Sequence, residues 1–392
     1  MTVGVIKLIS MLIQRVEKLR KILQEKSLDG FLVSNFFNIL YLTGFKTLTE
    51  NEREAWMLVT KNHIYLFTDS RYININSKSE ARNPKQIQNN NYKTKLITPE
   101  KGLIKHLQEI VEEEKIQRLG FEGDDLKVNE LQKMKTFLTN VELISLEKLI
   151  IKIREIKDEE EISNLRTACK IADQCLEEIV KTIKPGTSEK EIAFRIEFWL
   201  KEKGYDLSFY PIIAIDKNSA VPHYDTRAGN DEKVKKNSII LIDYGAKFED
   251  YHSDTTRMIF VGKPTSEMIN TYKILLNAQE KTIERLKTDN NPVSVDQFCR
   301  QQLTSHYSLA TNHSSYSHST GHGVGLRIHE FPKISFTSTD VLLLNQVVTI
   351  EPGVYINNKW GMRIEDTVLI KEKGEIEVLT KFSKKLLIIS NY

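Results

Sequence analysis

Five side chains of metal-ligand type lie in the second half of the chain: Asp243, Asp254, His322, Glu351 and Glu365. Three of the carboxylates fall within or at the ends of runs rich in Val, Ile and Thr, which favour a pleated, half-buried surface. An acid in such a surface must reach solvent or be neutralised by a partner, and a metal ion is the strongest such partner. Four carboxylates and one imidazole suit Mn, Co, Fe or Zn. Two such ions about 3.5–4 Å apart can activate a water molecule and polarise a carbonyl, so the set indicates a hydrolytic centre.

The two aspartates are separated by a short polar segment that contains Gly245. A hairpin-like connection there could bring Asp243 and Asp254 to one point. An isolated Asp in such a segment is usually a turn cap or a solvated carboxylate. The pair is more specific, because Asp254 stands just before another apolar run at 258–261.

Three of the nine histidines, His318, His322 and His329, lie within a glycine-rich segment. Glycines at positions 321, 323 and 325 permit a backbone that closely approaches a ligand or ion. The segment lacks the Lys-Ser/Thr ending of a P-loop and the spacing of a dinucleotide fingerprint. A metal or substrate site is therefore favoured over a phosphate site.

Length and composition restrict the class of protein. A chain of 392 residues suits two domains of unequal size. A net charge of +3 from 56 basic and 53 acidic residues gives no support to a nucleic-acid partner. Three cysteines argue against a disulfide framework and favour a reducing cytoplasm.

The N-terminal stretch at 1–13 is apolar but short, and it contains Lys7. We interpret it as the start of a helix, with an uncleaved signal as the alternative. Elsewhere the chain does not approach the roughly 20 apolar residues of a membrane span. The sequence therefore predicts no membrane partner.

The first part of the chain has the pattern of an α/β layer domain. Leu12, Val16, Leu19 and Leu23 repeat with helical spacing. Two further helices are predicted near 101–115 and 128–139, and a polar loop rich in Asn and Lys is predicted at 76–94. The predicted strands are 30–33, 56–59, 63–67, 95–97, 118–121 and 141–144.

A change of pattern near 150–157 predicts the domain boundary, with domains at 1–152 and 153–392. Acidic residues at 158–161 favour the start of a helix there. The segment 185–188 breaks that helix and can cap the next one. Strands dominate from Phe209 onward, interrupted by a predicted helix at 265–288.

The motifs DYG, SDTTR, GHGVG, IEPGVY and RIEDTV resemble those of the pita-bread metallopeptidases, which include methionine aminopeptidase, Xaa-Pro aminopeptidase, prolidase and the metal-free creatinase. The resemblance implies a smaller N-terminal α/β creatinase-like domain followed by a C-terminal α+β pita-bread catalytic domain. It also implies two divalent metal ions, with Mn²⁺ expected and Co²⁺ or Zn²⁺ as alternatives. Asp243 would bind one ion, His322 and Glu351 the other, and Asp254 and Glu365 would be shared.

The same resemblance implies roles for four residues that are not metal ligands. His223, His318 and His329 match positions that line the substrate, and their alternative is a surface or hydrogen-bonding role. Arg363 would orient the ligand carboxylates; we expect it on the same strand face as Glu365, with an ordinary ion pair as the alternative.

The segments at 34–45 and 67–72 are similar to the N-terminal domain of Xaa-Pro peptidases and creatinase, which argues against methionine aminopeptidase. Five intact ligands argue against creatinase. The compact length favours a Xaa-Pro aminopeptidase, with prolidase as the alternative. One departure is visible: the family often has a small-Ser-Gly run before its Asn-Ser-Ala-x-Pro-His segment, whereas this chain has Ala214-Ile215-Asp216-Lys217 before that segment.

The expected substrate is a peptide with proline at its second position, and the expected assembly is a homodimer. In our mechanistic hypothesis, a hydroxide that bridges the two ions attacks the carbonyl of the first residue, and Glu351 accepts the water proton. His329 and His223 would stabilise the tetrahedral intermediate, and His318 would hold the substrate. The leaving nitrogen of proline carries no N–H of its own. A metal-free binding protein, another amide hydrolase or a creatinase-like enzyme remain alternatives.

Overall fold

The computed structural model describes residues 3–73, 92–304, 316 and 318–390. Most of the predicted polar loop at 76–94 lies outside these ranges. The chain forms two compact units, Met1–Arg154 and Glu155–Tyr392. None of the helices in the described ranges is long and apolar enough to cross a membrane.

The first unit is built on a mixed six-stranded sheet with the order β4-β3-β2-β1-β5-β6. Its strands are β1 Gly30–Val33, β2 Ala55–Thr60, β3 Ile64–Thr68, β4 Lys93–Leu96, β5 Arg118–Glu122 and β6 Glu142–Leu146. Its helices are α1 Val3–Glu25, α2 Phe36–Thr43, α3 Ser70–Ile73, α4 Leu103–Glu114, α5 Val128–Phe137 and α6 Leu149–Glu155.

The α/β character predicted for this unit is confirmed. Helix α1 buries the expected face, and Leu12, Val16, Leu19 and Leu23 are each at most 5% exposed. Strands β1, β2 and β3 are buried along their whole length, as expected for the centre of a sheet covered on both sides. Helices α2 and α6 were not predicted, because their short apolar runs do not establish a helical period.

The second unit combines helices with four sheets. Its helices are α7 Glu159–Val180, α8 Glu189–Glu202, α9 Ser266–Arg285 and α10 Pro292–Thr304. Its strands are β7 Asp206–Leu207, β8 Ile212–Ile215, β9 Ile239–Tyr244, β10 Ala246–Phe248, β11 Tyr251–His252, β12 Thr255–Val261, β13 Gly321–Gly323, β14 Glu330–Ile334, β15 Val347–Ile350, β16 Gly353–Ile356, β17 Trp360–Arg363, β18 Asp366–Ile370, β19 Ile376–Val378 and β20 Leu387–Ile389. The sheet orders are β11-β10-β7, β20-β12-β9-β8, β14-β13-β15-β18-β19 and β16-β17.

The predicted helix starts of this unit are confirmed by their caps. The Asp158 side chain accepts from the first-turn N–H groups of α7 and forms a capping box with Glu161. Ser188 Oγ accepts from Glu191 N at 3.2 Å at the start of α8. Helix α9 begins after Thr265, within the predicted range.

The hairpin-like arrangement expected around the two aspartates is also confirmed. Strands β9 and β12 pair antiparallel, and Asp243 lies opposite Thr256. Asp254 immediately precedes β12, so both aspartates lie at the same end of the strand pair.

One strand expectation was wrong. Arg363 and Glu365 do not share a continuous strand face, because β17 ends at Arg363 and β18 begins at Asp366. Glu365 forms an isolated bridge with Thr256. The break has a physical cause: the chain changes partner here, since β17 pairs with β16 whereas β18 pairs with β15.

Candidate metal centre

Three of the predicted ligands form a tight buried cluster. Potential ligand atoms of Asp254, His322 and Glu365 all lie within 4.8 Å of one another, the one such grouping of His, Cys, Asp or Glu within the described ranges. Asp254 immediately precedes β12, His322 lies in β13, and Glu365 lies at the junction of β17 and β18. Strand pairing therefore gathers residues that lie between 43 and 111 positions apart in the sequence.

The other two predicted ligands adjoin this cluster. Glu351 Oε1 lies 3.3 Å from His322 Nε2, and Asp254 Oδ2 lies 3.5 Å from the same nitrogen. Asp243 is 7% exposed, and its Oδ2 accepts a hydrogen bond from Arg363. Its Oδ1 is buried without a hydrogen-bond partner in the described part of the chain. An unsatisfied buried carboxylate oxygen is costly unless it has a further partner, such as a cation.

The orientation of His322 leaves one ring nitrogen free for a ligand role. Nδ1 lies 3.0 Å from the carbonyl oxygen of Gly323, and a carbonyl can only accept, so Nδ1 carries the proton. The His322 backbone N–H donates to Thr349 Oγ1 at 3.1 Å. Nε2 therefore presents its lone pair towards the carboxylates, the usual arrangement of a metal-ligating histidine.

Glycine is required where β13 carries this histidine. A Cβ on Gly321 would lie 1.9 Å from the carbonyl oxygen of Thr349, and a Cβ on Gly323 would lie 2.2 Å from that of Phe331. The close backbone approach expected from the glycine-rich segment is thus present, and it arises from packing of β13 between β14 and β15.

The electrostatics of the cluster fit a binding site for cations. Burial raises the pKa of Asp254 and Glu365 well above the usual range, and repulsion from neighbouring carboxylates raises it further. Burial likewise raises the pKa of Glu351 to about 8 and lowers that of His322 to about 3. Arg363 supplies one compensating charge for four carboxylates, so divalent ions would relieve the remaining repulsion.

These shifts predict a pH dependence for the metal-free protein. Between pH 4.5 and about 8, Glu351 keeps its proton in the folded state, whereas an unfolded chain has lost it. Its contribution to stability is therefore present below pH 4.5 and is lost as pH rises through about 8. The lowered pKa of His322 has a different effect, a loss of stability as pH falls below 6.5, the usual pKa of histidine. That loss does not occur between pH 7 and 8.5.

We expect the melting temperature of metal-free protein to fall from pH 7 to 8.5, and added Mn²⁺ to raise it most at the upper end. Scanning calorimetry at both pH values, with and without Mn²⁺, measures this. A melting temperature that rises with pH in the metal-free protein, or a Mn²⁺ effect independent of pH, would contradict the assignment.

Arg363 links two of the carboxylates. Its Nη2 donates to Asp243, and its Nε donates to Thr256 Oγ1 at 3.0 Å. Thr256 Oγ1 in turn donates to Glu365 Oε2 at 2.7 Å. Arg363 can therefore orient ligand carboxylates although it does not share a strand face with Glu365.

The three non-ligand histidines lie around the cluster. His318 Nε2 is 2.9 Å from Tyr355 OH, and His318 Nδ1 is 3.9 Å from Glu351 Oε2. The ring of His329 lies edge-on to that of His322, with 4.4 Å between centroids. His223 and His329 are exposed, yet both are close enough to Asp243 to lower the pKa of its carboxyl group, against the larger effect of burial.

The sequence analysis missed three hydrogen-bonding residues of the site, namely Thr256, Thr349 and Tyr355. Thr256 follows Asp254 by two positions, and Thr349 precedes Glu351 by two positions. Because strand side chains alternate with a period of two, this spacing could have placed Thr349 beside Glu351, to which it donates a hydrogen bond, but it gives no sign that Thr256 binds Glu365. Tyr355 offered no such signal, since its role depends on contacts with Arg363 and His318.

A buried ion pair supports the backbone that carries Glu365. Arg257 Nη2 lies 2.7 Å from Asp366 Oδ1, and Arg257 also donates to the carbonyl oxygen of Glu365. Lys384 Nζ lies 2.6 Å from Asp366 Oδ2. Burial alone would raise the pKa of Asp366, but these two cations lower it to about 2. This network fixes the junction of β17 and β18.

Comparison with known proteins agrees with this fold and site. Residues 163–372 match Metallopeptidase family M24, and residues 15–156 match the Creatinase/Prolidase N-terminal domain. The chain belongs to metallopeptidase family M24, whose peptidases use a dinuclear metal centre. The predicted creatinase-like N-terminal domain and pita-bread catalytic domain are confirmed.

Relatives with two different names resemble this chain over almost its full length. A Xaa-Pro dipeptidase of Pyrococcus furiosus is 32% identical, with 95% of this chain and 99% of the relative covered. The structure of a Xaa-Pro dipeptidase from Bacillus anthracis superposes with a TM-score of 0.84 at 32% identity, covering 96% of this chain and 100% of that one. An X-Pro aminopeptidase structure from Thermotoga maritima gives 0.82 at 28% identity, covering 95% and 99%.

Proposed function

We propose that this peptidase hydrolyses the bond before a proline at the second position of a peptide and releases the N-terminal residue. The observation that carries the proposal is the buried cluster of Asp254, His322 and Glu365, with Asp243 and Glu351 beside it. Its excess of buried carboxylates and its unpartnered Asp243 oxygen fit divalent cations. Relatives named for Xaa-Pro cleavage support the substrate class.

In this proposal Asp243 would hold one ion, His322 and Glu351 would hold the other, and Asp254 and Glu365 would be shared. We propose Mn²⁺, with Co²⁺ and Zn²⁺ as alternatives, because a carboxylate-rich set accepts several metals. When bound, two such ions provide a nucleophile at neutral pH and polarise the substrate carbonyl.

The remaining chemistry falls to the chain's own side chains. Glu351 accepts the proton of the attacking water, a role that requires its ionised form, and bound metal ions would favour that form. His329 and His223 donate hydrogen bonds to the developing oxyanion. Although the residue is exposed, partial desolvation of its ring and the nearby cationic side chains lower the pKa of His329, so its imidazole is neutral at pH 7 and retains one N–H to donate. His318, held by Tyr355, contacts the bound peptide.

Dipeptidase activity is the second candidate. The compact length of the chain does not favour the aminopeptidase, contrary to our expectation, because relatives with either name are covered almost completely. The names of the Pyrococcus furiosus and Bacillus anthracis relatives favour cleavage of Xaa-Pro dipeptides. A prolidase must accept the free carboxylate of proline, whereas an aminopeptidase must accept a continuing chain.

The deciding experiment compares metal-stripped protein on a Xaa-Pro dipeptide, a Xaa-Pro-Xaa tripeptide and a Xaa-Ala-Xaa control, with Mn²⁺, Co²⁺ or Zn²⁺ restored. We expect the tripeptide to be cleaved and the control to resist. Cleavage of the dipeptide alone would identify a prolidase. Bound metal without activity on either proline peptide would contradict the proposed substrate, and failure to bind metal would favour a binding protein.

A homodimer and a cytoplasmic location complete the proposal. Sedimentation velocity of the purified protein tests the first, and fractionation of the producing cells tests the second. A monomer at the concentrations used in the assay would remove the dimer from the proposal without affecting the chemistry.

A further inference from the structure

The carboxylate of Glu189 is fully buried at the first position of α8 and gathers four hydrogen-bond donors. Its Oε1 accepts from Ile215 N at 2.7 Å and from Asn218 Nδ2 at 2.9 Å. Its Oε2 accepts from Tyr224 OH at 2.8 Å and from Glu232 N at 3.0 Å. A buried carboxylate is tolerated when its lone pairs are satisfied in this way. The four donors span 215–232, so one side chain ties together the whole segment that carries His223.

His223 is held on both sides within this segment. The hydroxyl of the next residue, Tyr224, is bound by Glu189, and the carbonyl oxygen of the preceding residue, Pro222, accepts from Arg363 Nη1 at 3.2 Å. The chain also passes so close to Tyr224 that a Cβ on Gly229 would lie 1.9 Å from its hydroxyl oxygen. His223 itself is exposed, so its position depends on these neighbours.

The beginning of the segment is fixed to the strand that carries Asp243. Asp216 has a positive φ of 51° and its carboxylate accepts from Ser238 Oγ and Ile239 N, both at 3.0 Å. Ile239 is the first residue of β9, which contains Asp243. Asp216 lies where the sequence departs from the family pattern, and it supplies a link between the segment and β9.

We propose that Glu189 is a positioning residue that sets the place of the His223 imidazole relative to the metal centre, acting through the hydroxyl of Tyr224. The inference rests on the proposed function in one respect, the contact of His223 with substrate. Displacement of a catalytic group by about 1 Å can lower a rate by about 100-fold, so a remote anchor of this kind can control turnover without touching a metal ligand.

The first test compares Glu189→Gln and Tyr224→Phe with the control Glu191→Gln. Glu191 lies on the same helix and pairs with Arg195 at the surface, so the control makes the same chemical change outside the anchor. We expect kcat/KM to fall about 10- to 100-fold in Glu189→Gln and less in Tyr224→Phe, which removes one hydroxyl. Metal stoichiometry measured by calorimetry should remain that of the native protein. Loss of metal in Tyr224→Phe, or native kinetics in both variants, would overturn the proposal.

A double-mutant cycle separates positioning from general stability. If Tyr224 acts through His223, Tyr224→Phe should change kcat/KM less than about 2-fold in a His223→Ala background, because the group that it positions is already missing. A purely structural role predicts that the two effects multiply. Multiplying effects, or native activity of His223→Ala, would overturn the proposal.

Measurements without substrate distinguish failure of this inference from failure of the proposed function. In selectively labelled protein, Tyr224→Phe should shift the ring resonances of His223. Glu189→Gln should accelerate hydrogen exchange at the amide of Ile215 or of Glu232, because the side-chain nitrogen of glutamine cannot accept a hydrogen bond. Glu191→Gln should change neither. These changes would support the anchor even if no Xaa-Pro peptide were cleaved; unchanged resonances and exchange would refute it even in an active enzyme.

Discussion

The substitution Glu365→Gln is expected to abolish Xaa-Pro turnover and to stabilise the metal-free protein. Glu365 is 2% exposed, and burial together with the neighbouring acids raises its pKa well above the usual range. When the metal-free protein folds at pH 8, the Glu365 carboxylate must therefore take up a proton, which the unfolded chain does not bind at this pH. Glutamine has nearly the same shape and can still accept from Thr256 Oγ1, but it brings no charge into the cluster.

With metal present, the sign of the effect on stability reverses. A neutral amide is a poor ligand where a shared carboxylate is needed, so the variant should bind fewer ions than the native protein. Metal-free Glu365→Gln should melt about 2–4 °C above the metal-free native protein, the shift that 1 kcal/mol produces in a domain of this size. Native protein saturated with Mn²⁺ should melt above the variant under the same conditions.

Calorimetry at pH 8 and metal analysis measure both effects. Glu377→Gln is a matched control, because Glu377 pairs with Arg166 at the surface and should leave stability and turnover nearly unchanged. Full turnover in Glu365→Gln would refute the dinuclear assignment. A metal-free variant less stable than the native protein would show that the carboxylate is satisfied without a cation.

The fold could be predicted from sequence where periodic patterns are long or capping residues are explicit. The apolar face of α1, formed by three leucines and one valine, and the caps at Asp158 and Ser188 are local signals, and each corresponds to an observed helix. The change of sheet at 364–365 was not predictable in this way. It is caused by the pairing of β17 with β16 and of β18 with β15, which no local pattern encodes.

The candidate site shows the same division between local and long-range information. Residue type and resemblance identified the five ligand candidates, and strand pairing brings them together. The groups that hold them, such as Arg257 and Tyr355, act through contacts between distant segments. Glu189 shows what a local pattern cannot predict. An acid at the first position of a helix is expected to interact favourably with the helix dipole, and the sequence gives no sign that its side chain turns inward.

Buried arginine and threonine side chains explain how the protein stays folded although the carboxylates of the metal centre repel one another. Arg363 and Thr256 hold Asp243 and Glu365 by direct hydrogen bonds, and Arg257 holds the backbone of Glu365. Donors fixed by a buried network keep ligand atoms in place before metal binds, so little reorganisation is needed on binding. The repulsion between the buried carboxylates lowers the stability of the metal-free protein, and Glu365→Gln should increase that stability.

The second large effect is expected for His329→Asn, which should lower kcat about 100- to 1,000-fold and leave metal stoichiometry unchanged. His329 lies beside His322 with ring centroids 4.4 Å apart, but it is exposed and outside the cluster of Asp254, His322 and Glu365. Its neutral imidazole can donate to the oxyanion; the shorter side chain of asparagine places its donor elsewhere.

Steady-state kinetics with Mn²⁺ at saturation, together with metal analysis of the same sample, measures this prediction. Effects confined to kcat would indicate an interaction made in the transition state, whereas a rise in KM alone would indicate ground-state binding. His63→Asn provides the control, because His63 belongs to the first unit and contacts Glu114 there. Loss of an ion in His329→Asn would instead make His329 part of the metal site, and an unchanged kcat would remove it from the chemistry.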